Sequence, residues 1–120
     1  MKRDWDLIRE ILLKVEDTDS ADAGIKASDF PKHPEELVNY NIHLLYQASL
    51  IEAIDVRTLC APLDYIVMRL TWSGHEFLDS IRSQTVWERI TTYLSEKGLA
   101  ISFEAIKATA PLVLKAILGG

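Results

Sequence analysis

The chain has 120 residues and a mass of 13.6 kDa, the usual size of one domain, so a single core is expected rather than two independently folding units. Apolar residues make up 48% and charged residues 26%, a balance that supports a packed core and excludes a disordered chain. Thirteen Lys and Arg against eighteen Asp and Glu give a net charge of −5 and a pI near 5.1, which disfavours unaided attraction to a polyanion.

Trp5, Ile8, Ile11, Leu12 and Val15 recur at helical spacing with Arg9, Glu10, Lys14 and Glu16 opposite them, so residues 4–16 are expected to form an amphipathic helix. Asp17 to Gly24 holds only small and polar residues and reads as a solvated loop; the run Ile25 to Phe30 reads as an edge strand. Pro31 and Pro34 bracket Lys32 and His33. Proline lacks the N–H that a first helical turn leaves unpaired, so the next helix should begin near Pro34 and run to about Leu50. Leu37, Val38, Asn41, Leu44, Leu45 and Ala48 form its inner stripe, while Glu36, Asn39, Tyr40, His43 and Gln47 fall toward the outside.

Leu50 to Val56 and Tyr65 to Thr71 are rich in β-branched residues, which predicts a β-hairpin with an irregular 57–64 loop containing Pro62. Alternation puts Ile66, Met68 and Leu70 toward the core and Val67 and Arg69 on the other face. Thr71 is suited to cap a helix bearing Phe77, Leu78 and Ile81. Thr85 to Glu88 fits a capping box, so after a break another helix is expected over 86–97, ended by Gly98. Ser102 can cap a last helix whose stripe is Phe103, Ile106, Ala110, Val113, Leu114 and Ile117, with a kink at Pro111. The sum is an α+β, mostly helical protein: a core over 1–82 and a helical extension over 83–120 that packs on the core or forms a dimer interface.

Helix, short strand, helix and β-hairpin is the order of a winged-helix domain. The run Ile42-His43-Leu44-Leu45-Tyr46-Gln47-Ala48-Ser49-Leu50-Ile51-Glu52 resembles a winged-helix recognition helix passing into the first wing strand. Met68-Arg69-Leu70-Thr71-Trp72-Ser73-Gly74-His75-Glu76-Phe77-Leu78 resembles the second wing strand passing into the following helix. With the opening Met1 to Leu13 and with Thr85-Val86-Trp87, nearly the whole chain resembles the bacterial and prophage-associated family "domain of unknown function 2513". The resemblance implies a winged-helix-like fold and, because the family has no established activity, no catalytic residues. Two features depart from the usual winged-helix pattern. Ser49 stands where such chains have Gly before Leu-Ile, and a left-handed helix-ending residue without Gly costs roughly 1 kcal/mol. Residues 17–33 contain no separate helix ahead of the one at Pro34, so the docking geometry of a helix-turn-helix is incomplete.

Charge weighs against DNA. Residues 33–56 contain no Lys or Arg but carry Glu35, Glu36, Glu52 and Asp55; extension to residue 80 adds Arg57 and Arg69 against Asp64, Glu76 and Asp79. A phosphate backbone is repelled by such a surface. The leading expectation is therefore a non-catalytic regulatory or protein-interaction module; the alternative is a DNA-binding regulator that uses the 34–50 helix and the 57–64 loop. Either partner would meet Asn39, Tyr40, His43, Gln47, Arg57 and Arg69. DNA gains if folding gathers Lys2, Arg3, Lys26, Lys32, Arg57 and Arg69 on the face of Asn39 and His43, and protein gains if they scatter. Leu112 to Leu118 is apolar on more than one face, making Val113, Leu114 and Ile117 candidate contacts of a homodimer.

Other chemistries lack their residues. Cys60 is the only thiol, so it forms no intramolecular disulfide, and a reducing cytoplasm is its natural setting. The N-terminus has no signal-peptide pattern, and the apolar stretch Ala108 to Leu118, interrupted by Lys115, is too short to cross a bilayer. His75 and Asp79, four apart on a helix, are too few for a metal site and read as a surface pair; His33 should be exposed and His43 a hydrogen-bonded packing residue. The glycines cluster only at the C-terminus, which excludes a phosphate-cradling loop. Counted from Asp17, an EF-hand would need Gly and Glu where Asp22 and Ser28 stand. No enzyme activity, cofactor, metal or small-molecule substrate is expected.

Overall fold

Asp4 opens the first helix by accepting the Leu7 N–H on its carboxylate at 3.1 Å, which satisfies one of the free donors of the first turn. The helix, α1 (Trp5–Asp17), buries Leu7, Ile8, Ile11, Leu12 and Val15, close to the expected stripe, with Trp5 only half-buried. In this computed structural model the described residues are 1–18, 24–59 and 61–119; most of the acidic 17–24 loop, including Asp19 and Asp22, and Cys60 lie outside them.

The expected edge strand over Ile25 to Phe30 is not formed. Ile25 makes a single antiparallel bridge with Val67, through two backbone hydrogen bonds of 2.8 Å, and the chain then enters a 3-10 turn (Ala27–Asp29). The Asp29 carboxylate accepts the Lys26 N–H at 2.8 Å, a local bond that competes with further strand pairing.

Helix α2 (Glu35–Gln47) starts at Pro34 and turns Val38, Ile42 and Leu45 inward, with Asn39 and Asn41 buried beside them. Leu37 and Leu44 are half-buried and Ala48 is exposed, so the inner stripe is rotated toward Ile42 relative to the expected one. The helix ends at Ser49, whose φ of 62° is the left-handed conformation expected of this position.

Strands β1 (Ile51–Asp55) and β2 (Tyr65–Leu70) form the antiparallel hairpin, and its facing corrects the alternation read from sequence. Glu52 pairs with Arg69, but the next pair is Ala53 with Val67, which leaves Met68 as an extra residue in β2. Such a bulge shifts the pleat by one residue. The inward set is therefore Tyr65, Val67 and Leu70; Val67 is fully buried, whereas Ile66 and Met68 are half-buried.

Thr71 caps α3 (Trp72–Ile81), its Oγ1 accepting the Gly74 N–H at 3.0 Å. Helix α4 (Gln84–Glu96) is capped by Ser83, which accepts the Val86 N–H at 3.3 Å. The cap thus lies two residues before Thr85, and α3 and α4 are separate helices. Ser102 accepts the Ala105 N–H at 3.1 Å to open α5 (Phe103–Leu118), which runs through Pro111 as one helix.

The described residues thus form an α+β, mostly helical fold of five helices and one two-stranded sheet. The chain divides into two compact units, Met1–Glu76 and Phe77–Gly120, with the boundary inside α3. In the first, α1 and α2 pack on each other and on the hairpin. In the second, α4 packs on α5 through a core that includes Trp87, Ile90, Leu94, Ile106 and Val113, and the rings of Phe77 and Phe103 stack 4.7 Å apart.

Candidate functional site

Most of the residues singled out from sequence lie on α2 and on the hairpin it packs against, in unequal roles. Asn39 is buried. Its Oδ1 accepts the backbone N–H of Tyr65 at 3.0 Å, so it ties α2 to the start of β2 and is not free to meet a partner. Asn41 does the same for α1: its Oδ1 accepts the Asp4 N–H at 2.8 Å while its Nδ2 donates to the Leu37 carbonyl at 3.0 Å. Both amides are satisfied, which is the condition for burying them without loss.

Glu36, Tyr40, His43 and Gln47 follow one another at spacings of four, three and four, a single row along the helix. Glu36 and Gln47 are exposed, and Tyr40 and His43 are half-buried. His43 Nδ1 lies 2.6 Å from the Tyr65 hydroxyl, and the Tyr46 ring sits 5.8 Å from the Tyr65 ring. Burial pushes the Tyr65 phenol above its ordinary pKa; the Asp55 carboxylate adds to the rise, Arg57 opposes it, and Tyr46 adds to it again. Tyr65 therefore keeps its proton through the neutral range. Where its O–H donates to Nδ1 of neutral His43, the imidazole proton resides on Nε2. Tyr65 is the organising residue that sequence reading missed, having appeared only as the first member of a strand; the available signal was a tyrosine at the mouth of the hairpin.

The hairpin arginines are both engaged. Arg57 Nε lies 3.1 Å from Asp55 Oδ2, and its backbone N–H donates to Asp55 Oδ1 at 3.1 Å. Arg69 pairs with Glu52 across the strands. The pairs are exposed and contribute little to stability, but each offsets a cation locally. Glu35 and Glu36, exposed in the first turn of α2, have no ion-pair partner among the described residues. They complement the positive end of the helix, and α2 contains no cation of its own.

Other basic residues lie outside α2 and the hairpin strands. Arg3 lies over the Trp5 ring, Lys26 precedes the 3-10 turn, and Lys32 lines a groove of about 350 Å³ between α1 and residues 29–32, together with Glu10, Lys14, Asp17 and Phe30. His33, expected to be exposed, is half-buried, with Nε2 2.8 Å from Glu10. His75 and Asp79 do not pair: His75 Nδ1 is 3.9 Å from Glu16, and Asp79 binds Arg82 at 2.8 Å. Among the described residues no three His, Cys, Asp or Glu side chains are grouped to hold a metal ion, and no helix is long and apolar enough to cross a membrane.

The second candidate surface is α5. Val113 belongs to the core, 8% exposed, whereas Leu114 and Ile117 are 47% and 36% exposed and are joined by Leu112 and Leu118.

Residues 2–100 match the family model described as "Hypothetical protein (DUF2513)". The chain belongs to that family. The DUF2513 match contains α1 to α4 and the hairpin, and therefore the whole α2 surface; it stops short of α5. A protein of Haemophilus influenzae, described as uncharacterized, is 43% identical over 118 residues, covering 98% of this chain and 99% of its own length. Its similarity thus extends into α5. No solved structure matches the chain.

Proposed function

We propose that this DUF2513 chain is a non-catalytic, winged-helix-like interaction module that docks a protein on the outer face of α2 and the adjoining hairpin. The charge arrangement there carries the reading: α2 has no cation, Arg57 and Arg69 are engaged by Asp55 and Glu52, and Glu35 and Glu36 are left unpaired among the described residues. A duplex approaching α2 meets the carboxylates of its first turn and no Lys or Arg on the helix itself, and phosphate contacts supply much of DNA affinity. A protein surface gains instead from the exposed side chains of Tyr46, Ile54 and Val56. Fluorescence anisotropy against mixed-sequence duplex DNA, at low salt and then at rising salt, tests it. No binding is expected; tight binding with a steep salt dependence would replace the reading with a DNA-binding regulator.

Self-association through α5 is part of the same proposal, supported by the exposed Leu112, Leu114, Ile117 and Leu118 on the last turns of that helix. Light scattering should give a dimer mass that the double change Leu114→Glu, Ile117→Glu reduces to the monomer. An unchanged mass in a folded variant would remove α5 from the interface. A reducing cytoplasm is proposed as the compartment, on the ground that Cys60 has no second thiol to pair with in the chain.

A further inference from the structure

We propose that the occupant of the outer α2 face is a cationic segment of a partner protein, which lays an arginine side chain along the row Glu36, Tyr40 and His43. This rests on the docking reading and adds to it the chemistry of the partner. Charge complementarity gives the direction. The 13 residues of α2 carry two carboxylates and no cation, and the nearby arginines of the hairpin are already engaged, so they do not quench the face. Aromatic surface gives the match to arginine in particular: Tyr40 stands one turn after Glu36, which lets a guanidinium meet a carboxylate and a ring face together. Tyr46, at the end of the helix, extends the aromatic surface and is 48% exposed.

The His43 end of the row is also held in place before a partner arrives. The hydroxyl of buried Tyr65 is 2.6 Å from His43, its ring contacts Tyr46, and its backbone N–H is bound by Asn39. A side chain ordered in this way loses little freedom on binding. An acidic peptide or a nucleic acid meets the same carboxylates as repulsion.

The test uses the full chain and a labelled amphipathic peptide bearing arginines at helical spacing, alongside the same peptide with citrulline or with glutamate at those positions. Anisotropy should detect the arginine peptide, with citrulline weakening it about tenfold through loss of charge. Glu36→Lys should weaken it about tenfold as well, and Tyr40→Leu, which keeps the apolar volume but removes the ring, about fivefold. Glu96→Lys makes the same charge change at the end of α4 and should leave binding unchanged. No binding at low salt, or binding insensitive to both α2 variants, overturns the inference; so does equal weakening by Glu96→Lys, the mark of unspecific charge attraction. Preference for the glutamate peptide, lost in Tyr40→Leu, overturns the cationic partner but leaves the docking reading standing. Binding of duplex DNA overturns the docking reading itself. A dimer that Glu36→Lys alone converts to monomer assigns the face to a second copy and overturns the proposal.

Discussion

The C-terminal ends of α2 and α4 use the same hydrogen bonds with different residues. At α2, the Ser49 N–H donates to the Tyr46 carbonyl at 3.0 Å and the Leu50 N–H to the Leu45 carbonyl at 3.1 Å. At α4, the Gly98 N–H donates to Ser95 at 3.0 Å and the Leu99 N–H to Leu94 at 2.9 Å. Both turns are Schellman motifs, with φ of 62° at Ser49 and 69° at Gly98. Gly98 stands in open space, so only its backbone angle calls for glycine. Ser49 adopts nearly the same angle with a Cβ, at a local cost of about 1 kcal/mol.

What differs is the tertiary grip. Thr71 Oγ1 donates to the Ser49 carbonyl at 2.7 Å while accepting the Gly74 N–H, and the Thr71 N–H donates to the Leu50 carbonyl at 3.0 Å. Gly74 lies so close to the Leu50 carbonyl that a Cβ would overlap its oxygen. The turn after α2 is thus clamped by the start of α3, and the clamp sustains a residue that the turn alone disfavours. The lesson is that a glycine missing from one place in a motif can coincide with a glycine required at its tertiary neighbour.

Breaking the clamp should have the largest effect. Gly74→Ala forces a methyl into the Leu50 carbonyl, and backbone, unlike a side chain, cannot turn aside; a loss of about 3 kcal/mol or more in urea unfolding is expected. A value below 1 kcal/mol would mean that α3 can slide away from the turn. Thr71→Val removes the α3 cap and the bond to Ser49 together, and should cost about 2 kcal/mol. Gly98→Ala tests the unclamped turn: with nothing near its Cβ, the cost should be the backbone angle alone, about 1 kcal/mol. Ser49→Gly should stabilise by less than about 1 kcal/mol, because relief of the left-handed strain is offset by the greater freedom of glycine in the unfolded chain.

At neutral pH the smallest effect belongs to the phenol that adjoins the α2 end. Tyr65 has a raised pKa in the folded protein, so its contribution to stability is fully present below the ordinary phenol value of about 10 and is lost as pH rises through the folded value. The unfolded chain ionises first on that side. Tyr65→Phe should flatten the alkaline fall in unfolding free energy, and an unchanged alkaline slope would show that the phenol is not held in its neutral form by the fold.

Local chemistry made much of the architecture readable. The spacing of Ile8, Ile11, Leu12 and Val15 places α1, Ser102 opens α5, and Gly98 ends α4, because each rests on bonds or periodicity within a few residues. The cap of α4 is Ser83 and not Thr85: both carry a suitable hydroxyl, and which of them bonds depends on where α3 stops. The facing of β2 departs from simple alternation for a longer-range reason: one bulge at Met68, set by pairing with a strand more than ten residues away, exchanges Val67 for its neighbours in the core.

The candidate surface was legible as composition and illegible as arrangement. Tyr40, His43 and Gln47 follow from helical spacing, and so does the absence of cations on α2. That Asn39 is an internal tie and not a reader of partners follows only from the position of the Tyr65 N–H, 26 residues along the chain. The same holds for Val113, whose side of α5 is decided by where α4 lies against that helix.

The sequence by itself determined the helices, the hairpin and the acidic character of the 33–80 stretch, since periodicity, caps and charge are properties of neighbouring residues. Only the tertiary structure decided which polar residues are spent inside the fold and which arginines are engaged. Those outcomes depend on partners brought within about 3 Å by packing between distant segments, and nothing in local order encodes such a distance.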